Sequence, residues 1–200
     1  MANLTADYGF VPMYSLVGEI RQIECAALTA ASDLYVGDPV KLSGTGDSSG
    51  RPSVTVAAAG DATIFGVVVG IVASGPDNLN KQYSDSADTV MVVPALAATV
   101  FRVNASNTTG ASLNDIGLTF DHVATAGDTL TGRSKYALDM GEDATAGATT
   151  ANQWRLIGFD RRSDNEFSTT VSTDTINVDL LVTCVESVWN GQAATGGDGV

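Results

Sequence analysis

Short stretches in which every second residue is apolar recur along the chain, separated by glycine-aspartate pairs, and this pattern predicts strands joined by turns. The longest is INVDLLVTCVESVW (residues 176–189), whose Val178, Leu180, Val182 and Cys184 fall on one face. QWRLIGFD (153–160) alternates in the same way. In the first half, 39–42, 54–58 and 64–72 predict strands around the turn pairs Gly37-Asp38 and Gly60-Asp61. Gly66 and Gly70 thin the side chains of 64–72, as expected where a strand bends or another backbone comes close. Residues 89–93 and 99–103 return as two more strands, with Pro94 placing their link at an edge or bend. Residues 15–27 carry two signals. Leu16, Ile20 and Ile23 sit near helical spacing, whereas Val17 and the alternation from Glu19 to Cys25 fit a strand, and the strand reading is preferred. Residues 26–34 read as a short helix or a polar crossing.

The connections are polar and long: GTGDSSGRP (44–52), SGPDNLNKQYSDSAD (74–88) and DMGEDATAGATT (139–150) read as loops. Residues 112–136 are mixed, with short segments at 121–123 and 129–130. Residues 1–14 form an N-terminal arm whose Tyr8 and Phe10 dock either on their own domain or on a neighbouring subunit. The Gly-rich residues 190–200 read as a flexible tail. The fold class predicted is all-β, a barrel or sandwich of short antiparallel strands over 15–189, with an extended arm, long polar loops and an inserted loop subdomain near 104–150. VAAAGD (56–61) and VATAGD (123–128) share a strand-then-turn sequence, read as reuse of turn chemistry rather than a duplicated domain.

Composition adds a core and a charge. Hydrophobic residues make up 44% of the 200 and charged residues 16%, enough to enclose a core, and few strong helix formers are present. The net charge of −13 repels phosphate backbones, so no direct nucleic-acid partner is expected. No apolar run reaches the length of a membrane span, so no membrane partner is expected, and the first residues lack the basic and apolar regions of a signal peptide. Cys25 and Cys184, each in an apolar context, read as buried free thiols.

Candidate chemistry is sparse. The lone histidine, His122, follows Asp121, but adjacent strand residues point to opposite faces and no GxSxG nucleophile context exists. The Asp residues at Gly37-Asp38, Gly46-Asp47, Gly60-Asp61 and Gly127-Asp128 are expected to bind local backbone N–H groups. The DMGED segment (139–143) offers hard oxygen ligands for calcium without the EF-hand order. Nucleotide-binding glycine motifs are absent. No catalytic residue, cofactor or metal ligand set is expected. Arg161-Arg162, between Asp160 and Asp164, form a charge-balanced turn or a contact with an acidic partner surface.

The segments DYGFVP (7–12), GDPVKL (37–42), VAAAGD and IFGVVVGI within 56–71, DHVATAGDTLTGRSKYAL (121–138), WRLIGFDRRSDNEF (154–167) and NVDLLV (177–182) together resemble the decoration, or cement, proteins of tailed-phage heads. The resemblance implies a non-enzymatic virion protein, made in the host cytoplasm, that binds the capsid exterior and joins neighbouring major capsid protein subunits, often as a dimer or trimer. The alternative is another virion component, a head fibre or tail protein with glycan- or receptor-binding loops. The interface residues expected are Tyr8, Phe10 and Pro12 on the arm and, second, Arg161 and Arg162. Deleting residues 1–12 is expected to leave a folded domain that no longer binds capsids.

Overall fold

The computed structural model describes residues 7–28, 33–76, 79–85, 87–106, 110–141, 152–170 and 176–190. The expected flexibility of 191–200 and of 142–150, and the crossing at 29–32, lie outside those residues. The described residues are nearly all-β, with 44% of them in strands. In chain order the strands are β1 (Val11–Ser15), β2 (Ile23–Ala27), β3 (Leu34–Tyr35), β4 (Pro39–Gly46), β5 (Pro52–Val56), β6 (Gly66–Val72), β7 (Tyr83–Ser84), β8 (Thr89–Pro94), β9 (Thr99–Asn104), β10 (Thr119–Phe120), β11 (His122–Val123), β12 (Ala137–Leu138), β13 (Trp154–Phe159) and β14 (Asp179–Cys184).

Five strands close into a barrel in the order β2-β5-β4-β6-β8. Neighbours are antiparallel except β2 and β5, which run parallel. Its β-branched strands turn Val40, Val54, Val68, Val90 and Val92 inward with Cys25 and Phe65, and all are buried. A barrel this narrow is filled by side chains and leaves no lumen. The other five strands form an open sheet, β1-β9-β14-β13-β10, with β1 at one edge. Leu180, Val182 and Cys184 of β14 alternate inward onto a second core around Trp154, together with Phe101, Val103 and Phe120. Ile64, Val67, Val93 and Ala95, from the barrel strands and their flanks, belong to this second core, so the sheet packs against the barrel wall.

Three expectations change. The run 176–189 is not one long strand: β14 ends at Cys184, the Gln153 carbonyl accepts from both the Val185 N–H at 2.9 Å and the Glu186 N–H at 3.5 Å, and the chain then leaves to bridge Ile64. The single strand at 15–27 is two, β1 and β2, joined through Gly18, with Leu16 and Val17 left outside. The described part of 104–150 is no separate subdomain, since His122, Tyr136, Leu138 and Met140 are buried, the last three within the Trp154 core. Of the two dockings left open for the arm 1–14, its described part, residues 7–14, takes the one onto its own domain. Phe10 is 1% exposed and β1 is hydrogen-bonded to β9.

Candidate functional site

The N-terminal segment reaches the core through a close crossing of three backbones. Gly9 has φ +75°, and a Cβ there would lie 2.4 Å from Ser134 Cβ and 2.7 Å from the Gly37 carbonyl oxygen. Only glycine fits such a contact at a left-handed φ. The Phe10 N–H donates to the Gly37 carbonyl at 2.9 Å, and the Phe10 ring stacks on Trp154 with centroids 4.3 Å apart. Phe10 is therefore withdrawn from the expected interface set: its ring contributes to the core and is not offered to a partner.

Tyr8 and Arg162, far apart in sequence, meet at Asp179. The Tyr8 hydroxyl donates to Asp179 Oδ1 at 2.5 Å, and Arg162 pairs with Asp179 Oδ2. Arg162 also lies 3.0 Å from Asp160, which pairs with Arg102 at 3.3 Å. The Arg102 guanidinium sits 5.5 Å from the Tyr8 ring centroid, a cation–π contact. Burial pushes the Tyr8 hydroxyl up to about 12, so it stays a proton donor.

Tyr8, Arg102, Arg162 and Asp179 line an open cleft of about 1130 Å³ at the seam between barrel and sheet. Tyr8, Phe10, Pro12 and Arg162 all border it, and Arg161 does not. Val36, Gly37, Val68 and Val69 supply its barrel wall. Four of the chain's ten cations, Arg102, Arg133, Lys135 and Arg162, line it. Arg133 and Lys135 were not among the expected site residues. Their signal in the sequence is the alternation of RSKY (133–136), in which Ser134 and Tyr136 turn in and the two cations turn out.

Beside the cleft is an apolar patch. Leu16 and Val17 are 68% and 77% exposed, Met13 and Tyr14 are exposed on β1 just before them, and Leu96 is exposed in the loop before β9. The Leu16 N–H donates to the Ala98 carbonyl at 2.9 Å, which fixes this end of the segment on the loop before β9. VPMYSLV (11–17) is more apolar than one buried face of an edge strand needs, and that excess is the signal for the patch. Met13 is the bulged residue of β1, and with Pro12 it spoils the regular edge on which another strand would pair.

His122 is a core residue. Its Nε2–H donates to the Ala57 carbonyl at 3.0 Å and its Nδ1 accepts from Trp154 Nε1–H at 3.2 Å, and burial pushes its pKa down to about 4. Asp121 accepts from the Gln153 N–H instead of orienting the imidazole. Cys25 and Cys184 are buried free thiols. Asp139 accepts from the Gly141 N–H at 3.0 Å, while Glu142 and Asp143 of the considered calcium loop lie outside the described residues. Among the described residues no group of three or more His, Cys, Asp or Glu side chains is placed to hold a metal ion, and no helix is long and apolar enough to cross a membrane. The geometry thus offers two binding surfaces, an apolar patch and a charged cleft with an apolar wall. Comparison with family models, curated proteins and solved structures finds no match to this chain.

Proposed function

We propose that this protein is a non-enzymatic virion structural protein that binds the outer surface of a tailed-phage capsid and cements neighbouring major capsid protein subunits. The observation that carries the reading is the apolar patch of Met13, Tyr14, Leu16, Val17 and Leu96, standing on a segment bolted to the core by Phe10. A contiguous exposed patch of large apolar side chains marks a surface that another protein covers. A rigid mount lowers the entropy lost on binding, and many copies on one shell convert a modest interface into firm attachment. In this reading the protein sits on the shell as a dimer or trimer, and the stability it adds is shared across all copies.

Co-sedimentation with purified capsids tests the proposal. The double variant Leu16→Asp, Val17→Asp changes only exposed positions and is expected to stay folded while losing roughly tenfold or more in capsid affinity, the scale of an interface hot spot. Undiminished binding by that variant would sink the patch as the contact. Particles without the protein are expected to assemble and to rupture at lower temperature or osmotic stress, and equal robustness of the two particle types would count against the cement role.

A further inference from the structure

Positive charge in the seam cleft is unevenly committed. Its four acids are engaged: Asp179 by Tyr8 and Arg162, Asp7 by the Asn104 side-chain amide, Asp128 by the Leu130 N–H at 2.8 Å, and Asp164 by Arg162 at 3.8 Å. Arg133 and Lys135 are exposed and have no ion-pair partner among the described residues. Arg102, on the opposite wall, keeps a buried Nε with no hydrogen-bond acceptor. In a chain of net charge −13 the cleft is locally neutral, its four cations equalling its four acids, and Arg133 and Lys135 are the two cations in it left without an ion pair among the described residues.

The two free cations are also spaced. The backbone from Arg133 runs beside Val36: the Ser134 N–H donates to the Val36 carbonyl at 2.9 Å and the Val36 N–H to the Gly132 carbonyl at 3.2 Å. That pairing extends the segment, buries Ser134 and Tyr136, and points Arg133 and Lys135 out on the same side. Side chains two apart on an extended chain repeat at about 6.6–6.8 Å. A second extended chain with carboxylates at alternate positions has the same repeat and meets both cations in register. The half-buried Val36 and Val69 supply an apolar wall beside them.

We propose that the seam cleft binds an extended acidic peptide segment of a partner protein, its alternate carboxylates on Arg133 and Lys135 and its other face on the apolar wall. A cleft of about 1130 Å³ is larger than a single small anion fills. A polyphosphate chain is disfavoured because the whole molecule repels it and only two of the cleft's cations stand unpaired among the described residues.

Fluorescence anisotropy on the full chain tests this with a short labelled peptide alternating Glu and Thr, its Gln-Thr counterpart, and an oligo-uronate. The Glu-Thr peptide is expected to bind, weakening with salt, and the Gln-Thr peptide to bind at least several-fold less. Arg133→Gln with Lys135→Gln, both at exposed positions, should lower Glu-Thr affinity roughly tenfold, as two surface ion pairs imply. Equal binding of the two peptides, no binding of either, an unaffected double variant, or tighter capture of the oligo-uronate would each overturn the proposal. It does not rest on the capsid reading, because the Leu16→Asp, Val17→Asp protein should keep its peptide affinity.

Discussion

Phe10 is the side chain on which the position of the N-terminal segment turns. Truncating it removes a ring stacked on Trp154 and leaves a hole beneath β1, so Phe10→Ala should lose about 3–5 kcal/mol in urea unfolding, the usual range for a buried aromatic. Two buried ionisable groups give opposite pH signatures. Native His122 refuses a proton until about pH 4, whereas in the unfolded chain it binds one near 6.5, so its contribution is complete above 6.5 and lost as pH falls through that window. Burial pushes Asp38 up to about 7 from an ordinary 3.8, so its contribution is complete below 3.8 and lost as pH rises to about 7. Relative to the wild type, His122→Gln should therefore make stability fall more steeply as pH rises through this range, and Asp38→Asn should make it climb. Urea midpoints that move in parallel with pH for all three proteins would show that neither group titrates as its burial implies. At this scale the sequence was informative wherever chemistry is local. All four Gly-Asp turns behave as read: Asp38 accepts from the Tyr35 N–H, Asp47 from those of Ser49 and Arg51, Asp61 from Ala58 and Asp128 from Leu130. Phe10 was misread because its burial depends on Trp154, 144 positions away, and no local pattern reports that.

Alternation located strand interiors and missed the bulges. β13 turns Trp154 and Leu156 inward, and strict period two would then bury Gly158 and expose Phe159. One extra residue at Ile157 shifts the pairing from Leu156–Val182 to Gly158–Leu181, and Phe159 becomes buried instead. Gly66 and Gly70 were legible: a Cβ at Gly66 would lie 2.4 Å from the Val93 carbonyl oxygen, and the β6–β8 register shifts between Val68 and Gly70. The segment before β2 was not, since Leu16 and Val17 look like core residues until β1 is seen to end at Ser15. Because β1 carries Phe10 at its entrance, removing residues 1–12 should unsettle the fold as well as any binding. Circular dichroism and thermal unfolding should show a truncated chain with a lowered, broadened transition, in contrast to the Leu16→Asp, Val17→Asp protein. A truncated chain that melts like the full one would mean that Phe10 and β1 are dispensable to the core.

The molecule holds two apolar cores, one inside the barrel and one between barrel wall and sheet, and several connections tie them together. Val56 packs against both, the Ile64 N–H donates to the Glu186 carbonyl at 2.7 Å, and the Gly37 N–H to the Val68 carbonyl at 2.8 Å. Their coupling predicts one cooperative unfolding transition rather than two. The cleft lies along the same seam, so a ligand bound there would be gripped by both halves and should raise the midpoint of that single transition. The cysteines turn this into a measurement. Cys25 lies in the barrel core and Cys184 in the sheet core, and burial pushes both thiols up, Cys25 to about 11. A thiol so placed reacts only when its surroundings open. Under native conditions with a fast alkylating reagent, the two should be trapped with the same opening free energy if the cores breathe together. A Cys25 that labels while Cys184 stays shielded would reveal a barrel that opens by itself, so evolution has left one chemical clock in each half of this shell of strands.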